Sequence, residues 1–353
     1  MKRKSLILIL AGLMSVGVLA GCGTSSDQGA KEENNDTTTS ANGDKKIKIG
    51  ATIYKYDDNF MSYVRRALDK NADGKAELII NDSQNDQSKQ LEQVDTMIAK
   101  GVNVLAINLV DPKAAPSVIE KAKKADLPVI FFNKEPEEDA MKSYEKCWYV
   151  GTESKESGVL QGKMIAEDWK ANTEAWDKNK DGKIQYVMIK GEIGHPDAEA
   201  RTKHSVEEIK NAGIEVEELA VDTAMWDAAK ATEKMDAWLA KNGDNIEVVI
   251  CNNDGMALGA LASIEKDGKK MAVYGVDAIP EVLDKIKEGK ITGTVLNDAK
   301  NQGKAIIETA INIANGKELT EGLDWKLDDK KAMRVPYVAV NKDNISVGEE
   351  AYK

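Results

Sequence analysis

The run Asp177-Lys178-Asn179-Lys180-Asp181-Gly182-Lys183-Ile184-Gln185 puts oxygen-bearing side chains at alternate positions of what must be a turn. A hard cation such as Ca²⁺ takes about six to eight oxygens, and a loop of this spacing can supply most of them. Asp177, Asn179, Asp181 and Gln185 would give side-chain oxygens, Lys183 a backbone carbonyl, and Gly182 the sharp turn. The usual bidentate glutamate is missing, because the twelfth position is Met188. A closing carboxylate would have to come from a distant part of the chain. An Asx-rich surface turn leading into a strand would use the same residues without any metal, and the spacing alone leaves both readings open.

A second group of polar residues follows the β-branched runs. Tyr54-Lys55-Tyr56-Asp57-Asp58-Asn59-Phe60 follows the first, and Asn108 ends another. Gly194-His195-Pro196-Asp197, with Arg201 one turn later, follows a third. Asp222-Thr223-Ala224-Met225-Trp226, Asn252-Asn253-Asp254, Asp277 and Asn297-Asp298 complete the set. Carboxylates, carboxamides, one His and one Arg can each pair with hydroxyls that both donate and accept, and aromatic rings suit the apolar C–H face of a sugar. Phe60 and Trp226 are the candidate platforms. Taken singly, Asp58 and Asp197 could be helix caps or first-turn anions, Asn108 and Asn297 turn residues, and Phe60 or Trp226 core. No nucleophile and base stand together in a catalytic pattern.

The elements that would position these residues alternate strands and helices. Ile47 to Tyr54, Glu77 to Asn81 and Val102 to Leu109 read as strands, and 59–72, 86–100 and 112–125 as helices. A second such series runs from Pro128 to Leu296, followed by a helix over 301–314 and a last strand at Val335 to Val340. This is the pattern of parallel sheets covered by helices, in which ligands sit beyond the carboxyl ends of the strands. The fold class is therefore α/β, with two doubly wound, Rossmann-like domains, and 353 residues are enough for two cores. A net charge of −11 speaks against nucleic acid as a partner, since phosphates demand a basic face.

The amino terminus carries Lys2-Arg3-Lys4, an apolar stretch from Ser5 to Val18, and Leu19-Ala20-Gly21-Cys22. The last four residues resemble a bacterial lipobox, which implies acylation of Cys22 and a protein anchored outside the cell membrane. Residues 23–45 are polar and read as a flexible tether. Cys147 and Cys251, in apolar strand-like settings, are expected to be free core thiols.

Several strings together resemble the periplasmic glucose/galactose-binding proteins of bacterial ABC transporters. These are the Tyr54 to Phe60 run, Asn81-Asp82-Ser83-Gln84-Asn85-Asp86-Gln87-Ser88-Lys89-Gln90, Ala106-Ile107-Asn108-Leu109-Val110-Asp111-Pro112, Gly194 to Arg201 and Asp222 to Asp227. The resemblance covers nearly everything after the tether. It implies the type I periplasmic binding protein fold, with three crossing strands as a hinge; the alternation of strands and helices puts one domain over 46–127 plus 298–333 and the other over 128–297 plus 334–353. It implies a hexose held by Asp58, Asn108, His195, Asp197, Arg201, Asn253, Asp277 and Asn297 between Phe60 and Trp226. It also implies that Asp58 accepts the 4-hydroxyl in either configuration, so that D-glucose and D-galactose both bind. One structural calcium would be held by Asp177, Asn179, Asp181, Lys183, Gln185 and the distant Glu247. The implied partners are an ABC permease, the membrane through the lipid anchor and, compatibly, a chemoreceptor, with the protein acting as a monomer. The competing reading is a glycoside-processing enzyme using Asp58 and Asp277 as a carboxylate pair. A ligand-sensing repressor would need a basic DNA-binding head where the leader stands.

Overall fold

The computed structural model describes residues 46–353. The leader, Cys22 and the tether expected at 1–45 lie outside the described residues. The chain begins with β1 (Lys48–Ile53), α1 (Asn59–Ala72), β2 (Glu77–Asp82), α2 (Gln87–Ala99), β3 (Val104–Ile107), α3 (Ala115–Lys124), β4 (Val129–Phe132), α4 (Glu138–Lys142) and β5 (Cys147–Gly151). It continues with α5 (Ser154–Trp176), β6 (Lys183–Lys190), α6 (Pro196–Asn211), β7 (Glu215–Thr223), α7 (Ala228–Asn242), β8 (Val248–Cys251), α8 (Asp254–Lys266), β9 (Ala272–Tyr274), α9 (Pro280–Lys287) and β10 (Thr294–Leu296). Last come α10 (Ala299–Ala314), β11 (Ala332–Arg334), β12 (Val338–Val340) and α11 (Ile345–Glu350).

Strands β3 and β4, Val-Leu-Ala-Ile and Val-Ile-Phe-Phe, are buried along their whole length, as parallel strands covered on both faces must be. They lie inside a six-stranded sheet of order β11-β5-β4-β3-β1-β2, all parallel. Helices α1 and α10 cover one face. Their axes come so close that a Cβ at Gly303 would lie 2.4 Å from Ala67 Cβ, which only glycine allows. Helices α2 and α3 cover the other face through Val94, Met97, Val118 and Ile119. The second lobe repeats the plan with β7-β6-β8-β9, parallel, extended through single bridges to the antiparallel pair β10-β12. In both lobes the second strand of the series lies outside the first and the third lies on its other side. That reversal of strand order opens a crevice at the strand carboxyl ends.

The chain crosses between lobes three times, after β5, after β10 and after β11. The first and third crossings are tied by Thr152 Oγ1 donating to the Tyr337 hydroxyl at 2.9 Å and by Arg334 Nη1 donating to the Thr152 carbonyl at 2.6 Å. The expected boundary at 127/128 needs correction. Leu105 stands opposite Val129, and Val129 opposite Cys147, so β4 and β5 extend the first sheet and the first lobe runs to Gly151. A short apolar strand after a helix looks the same whether it joins the old sheet or starts a new one; only the pairing separates the two. Cys147 and Cys251 are buried free thiols. No helix among the described residues is long and apolar enough to cross a membrane.

Candidate functional site

A cavity lined mostly by polar side chains lies between the strand ends of the two lobes. The first lobe supplies Tyr54, Asp58, Phe60, Met61 and Asn133. Asp58 caps α1, with Oδ1 accepting from Met61 N–H at 2.7 Å and Oδ2 from the Tyr54 hydroxyl at 2.6 Å. The cap and the cavity wall are thus one residue. Each carboxylate oxygen keeps a further lone pair for the cavity. Burial raises the Asp58 pKa, and the Tyr54 hydroxyl and Met61 N–H pull against it.

The second lobe supplies His195, Asp197, Arg201, Trp226, Asn253 and Asp277, and the β10 crossing supplies Asn297. His195 caps α6: its Nδ1 accepts from Asp197 N–H at 3.1 Å, which leaves Nε2–H as a donor. Burial, then Lys134 and Arg201, push its pKa well below the ordinary value, so the ring is neutral. Arg201 is 3% exposed and reaches the Asn252 carbonyl at 2.8 Å, the Tyr337 hydroxyl at 3.0 Å and Asp197 Oδ2 at 3.2 Å. Burial works against its charge, but Tyr337, Asp197 and Asp277 outweigh it and hold the pKa above the usual one. Asp277 is pushed well above the carboxylate range by burial, against Arg201, and its Oδ1 accepts from Asn297 Nδ2 at 3.1 Å. Asn253 caps α8 through Oδ1, leaving its amide nitrogen available.

Trp226 stands edge-on to His195, with ring centroids 5.1 Å apart, and comes from the lobe opposite Phe60. A Cβ at Gly191 would sit 2.1 Å from the indole, so that glycine makes room for the ring. Trp226, Asn133 and Asp277 all have positive φ, at 65°, 61° and 127°. Such backbone conformations are costly for non-glycine residues and concentrate at functional sites.

Nine of the ten expected residues line this cavity. Asn108 does not. It is fully buried, its Oδ1 accepts from Tyr54 N–H at 3.0 Å, and its Nδ2 donates to Asn133 Oδ1 at 3.0 Å. Asn133 takes the place at the wall that sequence reasoning assigned to Asn108. The signal for it in the sequence is its position as the first polar residue after β4. Tyr54 was likewise visible only as part of a motif.

The stretch Asp177 to Gln185 runs from the end of α5 into the amino end of β6, whereas His195 and Asp197 follow that strand's carboxyl end. Asp177 Oδ1 and Oδ2 accept from Asp181 and Gly182 N–H at 3.1 and 2.9 Å, and Asp181 Oδ1 accepts from Lys183 N–H at 2.9 Å. Glu247 does close on it, its two oxygens accepting from Lys178 and Gln185 N–H at 2.7 and 3.0 Å. Burial raises the Glu247 pKa, these two bonds oppose the shift, and Asp177 adds to it. Turn bonds of this kind form without a cation. Gln185 Oε1 is different: it is buried with no hydrogen-bond partner, an acceptor in want of a donor or a cation. Among the described residues no three His, Cys, Asp or Glu side chains converge as a metal cluster, so a cation here would depend on amide oxygens as much as carboxylates. The Lys183 ammonium turns away to Glu215 at 3.4 Å, leaving its carbonyl position uncharged.

Two lobes closing on a polar cavity, joined by three crossings, define a solute-binding protein of the type I periplasmic fold. The chain belongs to the periplasmic binding protein family, residues 49–318 matching the profile described as "Periplasmic binding protein domain". It is 57% identical over 301 residues to the D-galactose/methyl-galactoside binding periplasmic protein of Haemophilus influenzae, covering 84% of this chain and 90% of that one. It is 30% identical to a putative rhizopine-binding protein of Rhizobium meliloti, over 84% of this chain and 91% of the relative. Among solved structures, an ABC transporter solute binding protein from Bacillus halodurans with bound myo-inositol superposes with a TM-score of 0.73 at 29% identity, covering 87% of this chain and 98% of that one. These relatives are binding proteins rather than enzymes, and they give the glycosidase alternative no support. The family places the chain outside the cytoplasm.

Proposed function

We propose that this protein captures D-galactose and D-glucose in the cleft between its lobes and delivers them to an ABC permease. The observation that carries the reading is the lining of the cavity: Asp58 and Phe60 from one lobe and Trp226, Asp277 and Arg201 from the other meet around one space. The galactose named for the H. influenzae relative supports the choice of hexose. Asp58 offers a free lone pair on each of two oxygens, so a 4-hydroxyl arriving axially or equatorially can meet one or the other. Asn133 replaces Asn108 in the set of direct hydroxyl partners. Asn253 and His195 Nε2 donate, Arg201 donates to ring or hydroxyl oxygens, and Phe60 and Trp226 cover the two faces of the ring. Because the sugar touches both lobes, it favours the closed arrangement by its differential affinity.

Calcium is part of the proposal. Gln185 Oε1 supports it as the orphaned acceptor, with Asp177, Asn179, Asp181, the Lys183 carbonyl and Glu247 completing the donors. The ion would supply charge neutralisation and a brace between the α5–β6 loop and the segment before β8. Acylation of Cys22, monomeric action and docking to a chemoreceptor extend the same reading. Calorimetric titration tests its core: one site is expected for each hexose, and absence of heat with both contradicts it.

A further inference from the structure

The residue after Asn133 makes a contact that no sugar hydroxyl requires. Lys134 is 1% exposed, and two of its neighbours belong to its own lobe: the Val110 carbonyl, 2.8 Å from Nζ, and the Tyr54 ring, whose centroid is 4.2 Å away. The third is Glu192 Oε2 at 2.7 Å, on the loop that follows β6 in the other lobe. Glu192 is 19% exposed, at the edge of the cleft, and neither residue lines the sugar cavity. Opening the cleft must part this pair, since Lys134 is fixed to one lobe and Glu192 to the other. In the closed form the bond is charge-assisted and largely withdrawn from water, where it is stronger than at a surface. Burial lowers the Lys134 pKa, and Glu192 is the largest influence holding it up.

We infer that Lys134 and Glu192 form a latch between the lobes that slows release of the bound hexose without either side chain touching it. Lys134 is also a positioning residue, since it lies against the Tyr54 ring whose hydroxyl holds Asp58 Oδ2. The inference rests on the hexose reading. A bond made only after the lobes meet leaves capture by the open cleft alone and governs escape. Removing it lowers the fraction of closed protein and so weakens the apparent affinity.

The test uses the full chain and galactose, with stopped-flow tryptophan fluorescence on the parent, Glu192→Gln, Lys134→Met and the double variant. For Glu192→Gln the dissociation rate is expected to rise about tenfold, with the association rate changed by less than about twofold. Lys134→Met in that background should add less than it does alone, because the two changes remove one shared bond. Small-angle scattering of the sugar-free protein gives a second readout, in which Glu192→Gln should enlarge the radius of gyration. An unchanged dissociation rate, fully additive variants, or a lower melting point with release unaffected would each overturn the latch. A parent that ignores galactose would overturn the hexose reading instead, and the scattering arm would then judge the latch alone.

Discussion

Asn108 and Asn133 share one hydrogen bond and stand on opposite sides of the cavity wall. Asn133→Ala should raise the Kd for galactose about tenfold or more and leave the melting temperature nearly unchanged, because its amide faces the ligand. Asn108→Ala should lower the melting temperature first, because it strips Tyr54 N–H and Asn133 of buried partners. Parallel calorimetry and thermal unfolding separate the two, and equal effects on Kd would contradict the assignment. His195 carries a pH prediction. Its pKa in the closed form lies below the ordinary value of about 6.5, so below that pH the open form binds more protons. Affinity should therefore fall as pH drops from about 6.5 through the closed-form pKa. Asn at this position keeps the cap of α6, so His195→Asn should flatten the dependence; an identical slope in the variant would contradict it. Nine cavity residues were legible because each follows a strand or opens a helix. Asn133 was not, because Phe131-Phe132-Asn133 reads as unbroken strand and its positive φ is invisible in one dimension.

At the scale of elements, the same strand ends that bring the polar groups together also cap the next helix. Asp58, His195 and Asn253 each bond the first turn of α1, α6 or α8, so binding groups are placed by the helix starts themselves. At Asp58 the cap that sequence analysis held as an alternative to function coexists with a place at the cavity wall. The loop before β6 makes a separate claim. A sensor of the EF-hand kind needs a helix on each side, whereas here α5 precedes the loop and β6 follows it. Chelation with EDTA is expected to lower the melting temperature by about 5 °C or more and to change the galactose Kd by less than about twofold, since the loop and the cavity share no residue. A large loss of affinity with unchanged melting would contradict the brace. Spacing made the loop visible; the role of Glu247 came through resemblance, because no local rule links residues so far apart in the chain.

Across the whole molecule, two sheets with the same reversal of strand order present their crevices to one another, and three crossings let them part and meet. Alternation of strand and helix was enough to predict the α/β class and the domain-sized repeat. The boundary was not predictable from that alternation, since β4 and β5 carry no local mark of the sheet they join, and Lys134 to Glu192 became visible only when the lobes were placed together. On the proposed reading one cavity serves both hexoses by closure. The most direct measurement of this is calorimetric titration of galactose into protein already saturated with glucose. A single site is expected, with an apparent galactose affinity that falls in proportion to the glucose present. Galactose binding unaffected by glucose, or no heat with either sugar alone, would contradict it.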